Sequence, residues 1–152
     1  MGLRKSIVKS PWVSYFNSGG CNGCALEVVA LITPRYDIER FGAILKSSAR
    51  HADILIVSGA LTEQSRKRLV NVYRQMSPDK KVIAVGICGC SGGPFRFTYN
   101  IKKRVDEVIP VDMYVPGCPP RPEAIINAIV KLMVENDGSK QKGTAARGRK
   151  GK

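Results

Sequence analysis

What most restricts the folds open to this chain is where its cysteines fall relative to its apolar runs. Three strand-like stretches each lead into a glycine- or proline-rich turn, and each turn carries cysteine. SGGCNGC follows Trp12–Phe16, GICGCSGG follows Lys81–Val85, and VPGCPP follows Val108–Val115. Glycine lets the backbone approach a bulky ligand without a Cβ clash. Proline fixes the turn and removes one N–H. The chemistry of such a chain sits where its strands stop.

The segments between these turns alternate in character. Trp12 to Phe16 is β-branched and aromatic and ends at Gly19-Gly20, as a strand would. Ala25 to Ile32 is apolar almost all round and stops before Pro34, which predicts a short buried helix. Asp53 to Gly59 has the continuous apolar run of a strand covered on both faces. Thr62 is placed to cap a helix from Glu63 to Met76. Lys81 to Gly86 and Val108 to Val115 predict two more strands, and Arg121-Pro122-Glu123 opens a last helix through Met133. Strand–helix alternation of this kind gives an α/β fold, a parallel sheet with helices on both faces. Ligands of such sheets gather beyond the carboxyl ends of the strands. Cys21, Cys24, Cys88 and Cys118 then lie on one edge of the domain.

Four thiolates on glycine-rich loops suit an iron–sulfur cluster. Other chemistries compete for parts of the pattern. A thioredoxin-like redox pair accounts for Cys21-x2-Cys24 but leaves Cys88 and Cys118 idle. Structural zinc usually takes two C-x2-C knuckles, whereas here the second pair is widely split. The cluster is the reading that uses all four. The fifth cysteine, Cys90, reads as a small buried hydrophobe.

Composition limits the setting. The chain has 152 residues, of which 43% are hydrophobic, enough for one domain with a core. No apolar run reaches the ~20 residues of a membrane span, and MGLRKSIVKSPW lacks the apolar stretch of a signal peptide. A soluble, cytoplasmic protein is expected, in a reducing compartment where metal binding is favoured over disulfides. The net charge of +13 is uneven, because the last fifteen residues hold six Lys or Arg and no acidic residue. Expected boundaries are a basic N-terminal arm at 1–10, an α/β domain at 11–136 and a disordered basic tail at 137–152. The tail is either a solvated solubility aid or an electrostatic contact with an acidic neighbour protein, anionic lipid or RNA. Neither G-x-G-x-x-G nor a Walker loop is present, so no nucleotide is expected.

CNGCALE, GICGCSGG and VPGCPPRPEAI together resemble the small iron–sulfur subunit shared by respiratory complex I and the energy-converting membrane-bound nickel–iron hydrogenases. The resemblance runs from about Ser10 to Glu135. It implies a flavodoxin-like fold holding one 4Fe–4S cluster, the last of an electron relay. The family's third ligand stands in a G-x-C-x-x-x-G-G frame, which Gly86, Cys88, Gly92 and Gly93 fit and Cys90 does not. The implied ligands are Cys21, Cys24, Cys88 and Cys118. Complex I subunits of this family have adjacent cysteines at the first site, whereas this chain has C-x-x-C, as the hydrogenase-like branch and related sulfur-reducing complexes do.

On that resemblance the chain is an electron-transfer subunit with no autonomous activity, at the cytoplasmic face of the membrane. Its implied partners are a large catalytic subunit, a ferredoxin-like iron–sulfur subunit and membrane subunits. The implied reaction is proton reduction or hydrogen oxidation, or sulfane-sulfur reduction, coupled to ion translocation. A quinone-reducing complex I-type subunit is the alternative. A structural-metal module with a nucleic-acid-binding tail is a less favoured third reading.

Two further residues stand out. Glu27 is the one charge in the apolar helix, three residues after Cys24, and reads either as a carboxylate satisfied by a neighbour or as a proton-transfer group beside the cluster. The sole histidine, His51, stands just before a buried strand and reads as structural or interfacial.

Overall fold

A computed structural model describes residues 10–101 and 104–138. The expected N-terminal arm, apart from Ser10, and nearly all of the basic tail lie outside the described residues. The elements in chain order are β1 (Trp12–Asn17), α1 (Asn22–Ala30), β2 (Ile44–Leu45), β3 (Ile54–Ser58) and α2 (Glu63–Gln75). They are followed by β4 (Lys81–Val85), α3 (Gly86–Ser91), β5 (Met113–Val115) and α4 (Pro122–Gly138). The five strands form one sheet in the order β2-β1-β3-β4-β5, and every pairing is parallel. This is the strand order of flavodoxin-like sheets, with its topological switch point between β1 and β3.

β3 is central because every residue of Ile54–Ser58 is apolar or small and can be buried on both faces. On one face Val13, Ile54, Ile56, Ile83 and Val85 pack with Val28 of α1, with Leu31 at its C-cap and with Ile125 and Ile129 of α4. On the other, Leu55, Val57 and Val82 pack with Leu69 of α2 and with Val105 and Ile109. α2 starts where its cap dictates: the Thr62 side chain accepts from Ser65 N while the Ser65 hydroxyl accepts from Thr62 N. α4 begins on Pro122, whose missing N–H costs nothing at that position.

Three expectations need correction, and one element was not expected. The buried helix expected at Ala25–Ile32 starts three residues earlier, so it contains Cys24, and only part of it is covered. Val28 is buried, but Leu26 is 67% exposed and Val29 56%. The strand expected at Val108–Val115 is reduced to Met113–Val115, preceded by a 3-10 turn at Val105–Glu107. Pro110 has no N–H to give a ladder, and the chain rejoins the sheet only at Asp112, whose N–H donates to Val82 O. Cys88 and Cys90 stand on the short helix α3 and not in an open loop. β2, two residues long, had no signal of its own.

Candidate metal centre

The cysteine-bearing turns are fastened to each other through their backbones. β1 ends at Asn17, whose Oδ1 accepts from Gly19 N at 3.1 Å and Gly20 N at 2.9 Å. Ser18 is fully buried and donates from its hydroxyl to Ser58 O and Gly59 O, at 2.8 and 2.9 Å. Gly59, at φ +87°, lies so close to the β1–α1 turn that a Cβ there would stand 2.1 Å from Gly20 N. The turn that presents Cys21 is thus bolted to the carboxyl end of the central strand. Cys21 itself is the N-cap of α1, with no side-chain capping bond.

The other two turns close on this one. Gly86 has φ +84°, and a Cβ there would meet Cys24 Sγ at 2.6 Å. Ile87 N donates to Gly117 O at 2.8 Å, tying α3 to the turn that carries Cys118. A Cβ built on Gly93 would lie 3.1 Å from Cys88 Sγ. One built on Gly23 would have both Cys21 Sγ and the Pro119 ring within 4 Å, at 3.6 and 3.8 Å. Cys21 and Cys118 are exposed, and Cys24 and Cys88 are half-buried. The turns that carry Cys21, Cys24, Cys88 and Cys118 therefore lie at the carboxyl ends of β1, β4 and β5.

The electrostatics fit a cationic guest. Burial pushes the Cys24 thiol up to about 11, with added repulsion from Cys21, Cys88, Cys118 and Cys90. Burial also raises the Cys88 thiol, helped by Cys118 and Cys21. Thiolates so close to one another need positive charge between them to ionise. Among the described residues no three His, Cys, Asp or Glu side chains close on a single point tightly enough for one metal ion.

Cys90 behaves differently. Its Sγ donates to Ala84 O at 3.6 Å, and burial is the main cause that raises its thiol. Glu27 lies half-buried on α1, without a hydrogen bond or ion pair among the described residues. His51 is exposed and meets the Trp12 ring edge-on at 6.0 Å. The neighbouring Asp53 carboxylate is buried and accepts from Trp12 N at 3.0 Å. Both stand at the amino ends of the strands, away from the cysteines. Tyr15 and Ser58, which sequence reasoning passed over, join hydroxyl to hydroxyl at 2.6 Å beneath the cysteine loops. The only available signal was a tyrosine and a serine interrupting otherwise apolar strands.

The chain belongs to the family of the NADH ubiquinone oxidoreductase 20 kDa subunit, whose model matches residues 21–132. It is 52% identical over 128 residues to a probable membrane-bound hydrogenase subunit of Pyrococcus furiosus, an alignment spanning 84% of this chain and 77% of that one. It is 41% identical over 141 residues to an NADH-quinone oxidoreductase subunit of Heliobacterium modesticaldum, spanning 86% and 81%. Among solved structures, a chain of an archaeal respiratory membrane complex, the membrane-bound sulfane sulfur reductase, superposes with a TM-score of 0.78 at 39% identity, covering 90% of this chain and 76% of that one. These relatives are subunits of oxidoreductase complexes. Among the described residues no helix is long and apolar enough to cross a membrane.

Proposed function

We propose that this member of the 20 kDa subunit family carries one 4Fe–4S cluster on Cys21, Cys24, Cys88 and Cys118 and serves as the terminal electron-transfer subunit of a membrane-bound, energy-converting oxidoreductase. The observation that carries the proposal is the convergence of four thiols from three strand ends on one edge, where Gly86 and Gly93 leave room beside the sulfurs. When bound, the cluster supplies reversible one-electron storage. The protein's part is to hold the four thiolates apart, to half-bury Cys24 and Cys88, and to leave Cys21 and Cys118 open toward a partner. The first turn of α1, which the Cys21 side chain does not cap, leaves backbone N–H groups open toward the site.

The C-x-x-C spacing and the higher identity to the hydrogenase subunit favour a hydrogenase-like or sulfane-sulfur-reducing complex, with a large catalytic subunit as electron acceptor. A ferredoxin-like subunit would deliver electrons, and membrane subunits would couple the reaction to ion translocation from the cytoplasmic face. A quinone-reducing complex is the second reading, supported by the family's namesake and the 41% identity to a quinone-linked relative.

Serine variants in the purified complex test the ligand set. Cys88→Ser abolishes the cluster's iron and its reduced-state EPR signal, whereas Cys90→Ser leaves both nearly intact. The reverse outcome would assign Cys90 as the ligand. A colourless complex whose site holds zinc would return the chain to the structural-metal reading.

A further inference from the structure

The helix on the far face of the sheet carries a charge pattern that the metal centre does not use. α2 packs inward through Leu69, Val72 and Tyr73. Its outer side exposes Gln64, Lys67, Arg68, Asn71, Arg74 and Gln75, spaced three or four apart along one stripe. From Gln64 to Pro78 the chain holds four cations and no acidic residue. Arg66 is neutralised by Glu63, one turn earlier. Among the described residues no carboxylate pairs with Lys67, Arg68 or Arg74. Two further cations stand beside the stripe. Arg50 is exposed on the turn whose Ala49 packs into the same core cluster as Val72 and Tyr73. Lys80 lies over the Tyr73 ring, with Nζ 4.2 Å from its centroid. Asp79, exposed in the turn after the helix, is the one acidic residue next to them in sequence.

Helix stability does not account for this stripe. Arg74, in the last turn, complements the helix dipole. Lys67 and Arg68 stand mid-helix, where the dipole gives them nothing. An anionic partner would offset the charge, and the surroundings narrow its chemistry. A helix lying on a membrane buries an apolar side in the lipid, but the apolar side of α2 is spent on the core. Among the described residues none of the exposed large apolar side chains is on α2. Single-stranded nucleic acid needs open rings for its bases, and the one ring of α2 is half-buried with Lys80 over it. A row of carboxylates fits better. Guanidinium forks grip carboxylates in pairs, and Gln64, Asn71 and Gln75 can hydrogen-bond between the charges. Lys67 to Arg74 spans roughly 10 Å, about two helical turns.

We propose that the outer side of α2, extended by Arg50 and Lys80, is a second protein-docking surface, which takes an acidic segment of a subunit other than the large catalytic one. The proposal rests on the reading of the chain as one subunit of a larger complex. α2 covers the sheet face opposite to α1 and α4. The stripe is therefore separate from the edge that carries the cysteines, and both surfaces can be occupied at once.

The test is zero-length carbodiimide cross-linking of the purified complex, read by peptide mass spectrometry. The reagent joins a lysine amine to a carboxylate only where the two touch. Lys81 and Asp112, an ion pair at 2.8 Å within the chain, serve as the internal control. Lys67 or Lys80 is expected to join an Asp or Glu of a subunit other than the large catalytic one. The variant Lys67→Glu/Arg68→Glu/Arg74→Glu sets like charges against each other and is expected to lower retention of that subunit by about tenfold or more. Iron content and the large subunit stay. Lys67→Gln/Arg68→Gln/Arg74→Gln keeps helix propensity, is expected to give a smaller loss in the same direction, and is read instead if the Glu variant fails to assemble. A chain that purifies with no other subunit removes the complex reading, and the proposal falls with it. Within an intact complex, four results overturn the docking surface alone. They are acetylation of Lys67 and Lys80 as complete as in the unfolded chain, cross-links to the large subunit only, unchanged retention in both variants, and shielding that depends on phosphatidylglycerol vesicles or is lost to nuclease.

Discussion

Cys24 and Glu27 are one helical turn apart on α1, so their side chains project from neighbouring positions of the same helix. At Cys24 the protein holds a thiol pushed up to about 11, first by burial and then by the other cysteines. Metal binding must displace that proton, so loading of the site releases acid and weakens as pH falls. Glu27 is the nearest carboxylate in sequence, and it finds no partner among the described residues. Both readings of Glu27, a carboxylate satisfied by a neighbour and a proton-transfer group, are open to the same test. Glu27→Gln keeps the shape and a hydrogen bond but cannot ionise. If Glu27 moves protons for the catalytic partner, the Gln variant keeps its iron content and subunit association while turnover falls by roughly a hundredfold, the lower end of general acid–base effects. Full turnover in Glu27→Gln would remove the proton-transfer role.

At the scale of elements, the site depends on how closely three turns approach each other. Gly86 starts α3 at φ +84°, with Cys24 Sγ in the space a Cβ would occupy. Gly86→Ala therefore meets backbone strain of about 1–3 kcal/mol and a sulfur that must move. The expected result is a complex with markedly less iron on this cluster and a lower melting temperature, read by iron analysis and thermal denaturation. Unchanged iron content would mean that Cys24 has slack the structure does not show. Much of this was legible beforehand. β3 and β4 are dense apolar runs that only a covered parallel sheet accommodates, and Thr62 marked its helix start. The order of glycine turns after strands pointed to the common edge. Three elements were hidden for physical reasons. β2 is two residues long and owes its pairing to β1 alone. The apolar run at Val108–Val115 is broken by Pro110, so most of it packs as turn and not as ladder. α1 looked like a fully buried helix because apolar residues also occupy its outer side, where Leu26 and Val29 are exposed. The Tyr15–Ser58 pair was invisible because sequence spacing does not show that residues 43 positions apart share one hydrogen bond.

At the scale of the whole molecule, several large apolar side chains near the cysteine-bearing turns are exposed. On one side α1 exposes Leu26 and Val29, and on the other the segment after Gly93 exposes Phe97 at 93% and Tyr99 at 92%. Scattered exposed apolar residues are ordinary, but groups of them beside the proposed metal centre make a candidate docking face. The described part of the fold offers nothing to cover either group. Electron transfer needs the donor edge pressed close to its acceptor, and the same contact would shield Cys21 and Cys118, which are exposed in the chain alone. Val29→Lys tests this directly. In the single chain the residue is more than half exposed, so the substitution leaves folding and iron content near normal. In a dry interface the stranded ammonium would cost on the order of 3 kcal/mol, about a hundredfold in association. The expected outcome is loss of the large subunit from affinity-purified preparations while the cluster remains on this chain. If the large subunit still co-purifies in full with Val29→Lys, α1 is not the docking face, and the exposed aromatic segment beyond Gly93 must carry the contact alone.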